Sequence, residues 1–237
     1  MKAMFLMDFF IVKKLLRRYL LLLLGMGGCA ALIMGSHPGI IPYFGVISVV
    51  SVTQAVALYD DRRDWNRFRL TMPLTRTDIV FGRYAFLAAV ALAGTLIGIA
   101  LYLAVTLAVQ CVPAYAALAL RPGGFDAIEF TWSVAVSLAL AFVVGGIMVP
   151  TFLNFGMGNG PRYAMALIMM VSVLAINPII NVGVKPEAVP AFLGGFTSLA
   201  TSHDAFLVAA GIVAIAAFAF YAASCALSLA FYRRRDF

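Results

Sequence analysis

Residues 130–161 read FTWSVAVSLALAFVVGGIMVPTFLNFGMGNGP and contain no Asp, Glu, Lys or Arg. A helix needs about 20 predominantly apolar residues to cross a lipid bilayer. Four further charge-free stretches occupy residues 19–59, 84–120, 163–184 and 205–232. The pattern predicts an all-α membrane protein with several spans.

The composition supports this fold class and excludes others. Of the 237 residues, 64% are hydrophobic and 11% are charged, whereas roughly a quarter of a soluble domain is charged. A soluble globular domain, a disordered chain and a secreted disulfide scaffold are therefore excluded. The length suits one compact bundle, so we predict a single transmembrane domain over residues 1–237.

The charge-free stretches also predict the number of spans. The first one, residues 19–59, is too long for one helix and is interrupted by the turn-forming cluster at residues 35–39, Gly-Ser-His-Pro-Gly. We therefore predict six transmembrane helices, at about residues 19–35, 40–59, 84–109, 128–152, 163–181 and 205–232.

Positive charges predict the orientation. If the N-terminus is cytoplasmic, all of the 17 Lys and Arg residues except Arg121 and Lys185 fall on the cytoplasmic side. Cytoplasmic loops of membrane proteins carry such an excess. We therefore expect both termini inside, in the inner (plasma) membrane. The net charge of +7 then needs no nucleic-acid partner.

The N-terminal residues 1–18 precede the first span and have an amphipathic pattern. Phe5, Phe9, Val12 and Leu16 fall on one helical face, and basic residues such as Lys13 fall on the other. This arrangement favours an interfacial helix that lies along the lipid headgroups. The alternative is a cytoplasmic extension of the first span.

The segment 60–83, between the second and third spans, concentrates polar chemistry. Ten of the chain's 27 charges lie within residues 59–84. Trp65, Phe68 and Met72 recur at helical spacing, and Pro73 disfavours continuation of that helix. Thr75 and Asp78 then resemble an N-terminal capping box that leads into the third span. A docking surface and a helix packed on the headgroups both remain open from the residues alone.

Two kinds of chemistry are missing from the sequence. It has no Gly-x-x-x-x-Gly-Lys-Ser/Thr motif, so it has no P-loop with which to hydrolyse ATP. No charged residue lies deep in a predicted span, and Glu129, at the outer edge of the fourth, comes nearest. Ion-driven carriers usually keep ionisable residues at mid-membrane. We find no metal-binding or catalytic cluster.

Mild polarity within the spans offers two readings. Ser48, Ser51 and Gln54 recur every three residues in the second span, so we expect them to share a face that lines a path or hydrogen-bonds a neighbouring helix. Gly94 and Gly98 form a Gly-x-x-x-Gly pattern, which permits close helix approach within the bundle or at a dimer seam.

Three places in the chain carry a family resemblance. They are the segment at residues 60–84, the stretch from 149 to 163 with Val-Pro-Thr-Phe-Leu-Asn-Phe-Gly and Gly-Pro-Arg-Tyr, and the ending at 228–237, Ser-Leu-Ala-Phe-Tyr-Arg-Arg-Arg-Asp-Phe. The chain resembles the ABC-2 type permeases, membrane subunits of ATP-binding-cassette exporters with a separate ATPase polypeptide. Met72 and Thr75 depart slightly from the family pattern, which has leucine and serine there.

The resemblance implies a function for the segment 60–83. It would act as a coupling helix in a groove of an ABC ATPase subunit, which would bind ATP and Mg²⁺, so this chain would hold no cofactor or metal and would not be an enzyme. The implied interface comprises Asp64, Trp65, Arg67, Phe68, Arg69, Met72, Pro73 and Arg76.

The resemblance also implies that one chain is half of a transporter, paired with an identical or sibling permease. Hydroxyl-bearing and apolar spans favour export of a hydrophobic or amphipathic substrate such as a peptide, antibiotic or drug. Two alternatives stay open: an ion-coupled secondary carrier centred on Glu129, and a membrane enzyme that acts on lipid.

Overall fold

The computed structural model is helical over nearly all of the part of the chain that it describes. This part comprises residues 4–10, 12–13, 38–62, 75–111, 125–155 and 203–234, and the single residues 21, 25, 167, 170 and 171. Within it there is no strand. Four of its helices are long and apolar enough to cross a membrane.

These four helices are α1 (Ile40–Arg62), α2 (Arg76–Cys111), α3 (Ala127–Phe155) and α4 (His203–Arg234). They confirm helices at the predicted spans 40–59, 84–109, 128–152 and 205–232. The predicted spans 19–35 and 163–181 lie outside the described residues, apart from the single residues named above, which are all helical.

α2 starts earlier than predicted, and the predicted capping residues lie at its start. The helix begins at Arg76, whereas the predicted span began at residue 84. Thr75 Oγ1 accepts a hydrogen bond from the Asp78 backbone N–H (3.1 Å) and donates one to Asp78 Oδ2 (2.7 Å). The hydroxyl thus satisfies one of the N–H groups that a helix start leaves without an intrahelical partner. The predicted cap is confirmed, and it adds two turns before the apolar span.

Contacts along the helices fix their directions. α1 and α2 are antiparallel, because Gly98 lies against Ile41 while Arg83 contacts Asp60. α3 runs parallel to α4, since Trp132 clusters with Ala210 near their starts and Gly146 meets Ser224 farther along both helices. α3 also runs parallel to α1, because Ser137 bonds Ile41 and Gly145 approaches Val49. We call the end at which α1 finishes and α2 begins the Asp60 end.

The two glycines of the Gly-x-x-x-Gly pattern lie at the contact between α1 and α2. A Cβ atom at Gly98 would lie 2.9 Å from both Cα and the carbonyl O of Ile41, and one at Gly94 would lie 2.6 Å from Ser48 Oγ. Glycine therefore permits an approach that any larger residue would prevent. The close approach occurs within the bundle.

Hydroxyl groups join three helices at the centre of the bundle. Thr95 Oγ1 on α2 and Ser137 Oγ on α3 are 2.8 Å apart, and both side chains are buried. Gly45 of α1 faces this pair, and a Cβ there would overlap the Ser137 hydroxyl. Because lipid offers no hydrogen-bond partners, such hydroxyl pairs supply directional contacts between apolar helices.

Pro150 lies inside α3 without ending the helix. Proline has no N–H, so the carbonyl four residues earlier, that of Gly146, loses its intrahelical donor. The Ser224 hydroxyl of α4 donates to this carbonyl. A neighbouring helix thereby satisfies the backbone group that the proline frees, as a membrane environment requires.

The N-terminal segment, residues 4–10 and 12–13, is helical and packs against the bundle. Its buried face is Met4, Asp8 and Val12, whereas Phe9 is 39% exposed. Of the predicted apolar face, Val12 is buried against the bundle and Phe5 packs on it, whereas Phe9 points away from the bundle; contact of this face with lipid stays a prediction. The face turned to the bundle includes a carboxylate, because Asp8 contacts Arg83 (3.6 Å between Oδ2 and Nε).

The glycine contact between α1 and α2 yields a stability prediction. We expect Gly98→Ala to destabilise the protein by about 1–3 kcal/mol, because the new methyl meets backbone and not a movable side chain. The matched control is Gly211→Ala on α4, where no described atom beyond the helix's own backbone lies within 4 Å of the added Cβ; there we expect no loss. Thermal unfolding of both variants in the same detergent compares them, and equal melting temperatures would contradict the close approach.

Candidate functional site

The structure describes the base of the predicted coupling segment. Asp64, Trp65, Arg67, Phe68, Arg69, Met72 and Pro73 lie outside the described residues. Arg76, the remaining predicted interface residue, is the first residue of α2 and is half-buried. The last turn of α1 and the first turns of α2, which flank the segment, are described in full backbone detail.

A buried cluster of charges occupies this base. Arg83 on α2 is 5% exposed, and its Nη2 donates to Oδ2 of Asp60 at 2.6 Å. Its Nε lies 3.6 Å from Oδ2 of Asp8, which is fully buried. One guanidinium therefore contacts two carboxylates from two different parts of the chain.

Local structure explains why these three side chains meet. The Thr75 cap starts α2 early enough to place Arg83 on its second turn. Asp60 lies in the last turn of α1, and the antiparallel packing of α1 and α2 brings it opposite Arg83. Arginine suits this position because its planar fork presents several N–H groups in fixed directions. Lysine has no such fork.

A small cavity of about 10 Å³ adjoins the cluster. It is bordered by Asp8, Thr53 and Arg83, and otherwise by apolar side chains of α1, α2 and α3. Pockets that bind drug-sized ligands occupy roughly 300–1,000 Å³. This cavity holds at most one water molecule, so among the described residues the cluster is a packed contact between helices.

Tyr84, the next residue along α2, begins a directed chain of hydrogen bonds to α4. Its hydroxyl lies 2.9 Å from Ser224 Oγ and 2.8 Å from Ser228 Oγ. Ser224 uses its single proton on the Gly146 carbonyl. Since each hydroxyl has one proton, Tyr84 must donate to Ser224, and Ser228 must donate to Tyr84.

The predicted polar face of α1 separates into three environments. Ser48 is buried against Gly94 of α2, Ser51 is half-buried and Gln54 is exposed. The reason is helical drift: with 3.6 residues per turn, a spacing of three falls about 60° short of a full turn at each step. For Ser48 the structure therefore favours the packing alternative, and path lining by the three residues stays a prediction. Ser51 and Gln54 remain on the more open side.

Comparison with known proteins places the chain in a family. A family model described as "ABC-2 family transporter protein" matches residues 3–233. The chain belongs to this family. Neither the curated proteins nor the solved structures gave a significant match.

Membership makes the chain a membrane permease of the ABC transporter class, and the predicted resemblance is confirmed. The family generally works in a membrane with an ABC ATPase, so the permease is a transport subunit. The match runs through the base of the segment 60–83, the buried charges and the four long helices.

The buried charges of the permease were missed by reasoning from the sequence. The sequence assigns Arg83, which directly precedes the charge-free stretch 84–120, to the cytoplasmic side but does not indicate a partner for it. One signal was available at the N-terminus, where Asp8 has helical spacing from Met4 and Val12. An acidic residue on the apolar face of an amphipathic helix calls for a buried cation as partner.

Glu129, the acidic residue nearest a predicted span, lies in the first turn of α3. The helix is capped there by Asp126, whose Oδ1 accepts the Ile128 backbone N–H at 2.8 Å. Acidic groups in a first turn interact favourably with the helix dipole. This position at the start of α3 favours a negative charge whatever further role Glu129 has.

The hydroxyl chain at Tyr84 yields a second prediction. We expect Tyr84→Phe to destabilise the permease by about 1 kcal/mol, because hydrogen bonds between membrane helices average about 0.6 kcal/mol each. We also expect Ser228→Ala to cost less in the Tyr84→Phe background than alone, since the two groups share a bond. Unfolding of the four variants forms a double-mutant cycle, and strictly additive losses would contradict the directed chain.

Proposed function

We propose that the permease is the membrane-spanning subunit of an ABC exporter, driven by a separate ATPase subunit that binds ATP and Mg²⁺. The observation that carries the proposal is the family match over residues 3–233, which includes the whole segment 60–83. On this proposal the segment docks on the ATPase, with Trp65, Phe68 and Met72 as apolar anchors. Such anchors dominate the binding energy of interfaces.

A six-span topology with both termini cytoplasmic belongs to this proposal. Its first support is that α3 and α4 run in the same direction, which requires an odd number of crossings between them. Its second is that Asp8 contacts the Asp60 end while α1 starts at the opposite end. One span at 19–35 and one at 163–181 satisfy both requirements.

The orientation proposal rests on charge. The Asp60 end carries the segment 60–83 with its basic residues, and the positive-inside rule assigns such a segment to the cytoplasm. The cytoplasmic side is also where ATP is available. We therefore assign the Asp60 end to the cytoplasmic face of the inner (plasma) membrane.

The proposed path uses the open side of α1. Gln54 is exposed and Ser51 half-exposed there, among apolar residues. A face with few hydrogen-bonding groups suits a hydrophobic or amphipathic substrate such as a peptide, antibiotic or drug better than a small ion. A second permease, identical or related, would complete the path opposite this face.

The ATPase interface yields the test of the proposed function. We expect Trp65→Ala combined with Phe68→Ala to weaken ATPase binding by about 2–4 kcal/mol, roughly 30- to 700-fold. Co-elution of the permease and its ATPase from lipid nanodiscs measures the loss. Leu96→Ala, which truncates a 64% exposed apolar side chain on α2, is the matched control and should co-elute as wild type does.

An ion-coupled carrier is the alternative, and Glu129 separates the two functions. The export proposal predicts that Glu129→Gln leaves ATP-driven efflux of an amphipathic fluorescent cation unchanged in proteoliposomes. A carrier predicts efflux that follows an imposed proton or sodium gradient without any ATPase and that disappears in Glu129→Gln. Gradient-driven efflux by the permease alone would overturn the proposal.

A further inference from the structure

The buried ion pair joins the two ends of the proposed coupling segment. Asp60 is the first residue of the segment 60–83 and Arg83 is the last, and their side chains meet at 2.6 Å. Both residues are helical, Asp60 in the last turn of α1 and Arg83 at the end of the second turn of α2, so the contact joins the two helices that enter and leave the segment.

The same guanidinium also holds the N-terminal segment. Asp8 is fully buried and lies 3.6 Å from Arg83 Nε, while Phe5 packs edge-to-face on Phe86 of α2 at 5.5 Å between ring centroids. Three parts of the chain, the N-terminal segment, the end of α1 and the start of α2, thus converge on one side chain.

Stability alone is a poor explanation for this cluster. Removing charges from water is costly, and well-packed apolar residues often replace a buried ion pair with equal or greater stability. Charged groups in membrane proteins are correspondingly rare and usually functional. What the ion pair supplies, and apolar packing supplies less well, is a fixed direction and register.

We propose that Arg83 is the positioning residue of the coupling segment: its pairing with Asp60 clamps α1 to α2 at the two ends of the segment, and its contact with Asp8 fixes the N-terminal segment to the same point. The inference rests on the proposed function, because it assigns the clamp the role of transmitting ATPase movement. With the clamp closed, a push on the segment moves both helices together. With it open, α1 and α2 can move separately, and the push is not shared between them.

The test measures how rigidly the segment is held. Spin labels are placed on Leu70→Cys within the segment and on Leu92→Cys, an exposed site on α2, with Cys29, Cys111 and Cys225 changed to Ala. The distance distribution between the labels is recorded for the permease in nanodiscs, first alone and then with its ATPase in ADP and in MgATP plus vanadate.

A closed clamp predicts a narrow distribution that stays unchanged between the two nucleotide conditions. We expect Arg83→Gln and Asp60→Asn to broaden it already in the permease alone, and to make it shift with nucleotide. Asp60→Asn leaves Asp8 as a counter-charge for Arg83, so it serves as the second variant if Arg83→Gln does not fold. Asp8→Asn should keep the distribution narrow, because the Asp60–Arg83 pair remains.

Two further variants separate the clamp from general damage. Thr53→Val changes the polarity of the same cavity, but Thr53 donates only within α1, to the Val49 carbonyl, so the distribution should match wild type. The combination Asp8→Asn, Asp60→Arg, Arg83→Asp reverses the pair without opposing Asp8 to a new carboxylate, and it should restore the narrow distribution.

The outcomes distinguish the clamp from the proposed function. Equal distribution widths in wild type, Asp60→Asn and Arg83→Gln, measured in the permease alone, would overturn the clamp whatever the partner. Failure of wild-type permease to co-elute with its ATPase would overturn the proposed function. The distribution widths measured in the permease alone would still test the clamp. A complex that forms normally and shifts identically in all variants would overturn the role in transmission.

Discussion

The structure at the Asp60 end depends on how one cation is neutralised inside an apolar bundle. The Arg83 guanidinium is held by Asp60 and Asp8, and leaving it without a carboxylate would cost several kcal/mol. Apolar packing between helices is non-directional and tolerates sliding by part of a turn. The charge pair does not tolerate this, so it sets the register of α1 against α2 and the docking of the N-terminal segment.

The long helices could be predicted because each is a continuous apolar stretch of the sequence. The charge cluster could not be predicted, because its three residues are distant from one another in the sequence. Charge-free stretches predicted the four long helices to within a few residues, apart from the early start of α2, for which Thr75 and Asp78 supplied the correct signal. The pairing of Arg83 could not be predicted, because in a sequence a charge at the border of an apolar stretch looks the same whether it faces water or a carboxylate. Only the three-dimensional structure shows that Asp8 lies beside Arg83.

The polar residues of α1 are a second example of a contact that the sequence alone does not reveal. The three-residue spacing of Ser48, Ser51 and Gln54 was visible in the sequence, and so were Gly94 and Gly98. The sequence did not show that Ser48 packs on Gly94. The predicted polar face of α1 and the predicted close approach at the glycines therefore meet in one contact. Once the contact takes Ser48, helical drift leaves the other two polar residues progressively more open, and any path along α1 must begin with them.

Consecutive residues of α2 connect it to every other described helix at this end. Arg83 reaches α1 and the N-terminal segment, while Tyr84 reaches α4 and, through Ser224, the α3 carbonyl that Pro150 leaves without its intrahelical donor. Alternating contacts of this kind oppose bending, because each lies on a different side of the helix. A displacement of the segment that precedes α2 must therefore either break a buried polar contact or move the bundle. Since breaking the contact strands a charge or a hydroxyl in an apolar medium, movement of the bundle is the less costly response.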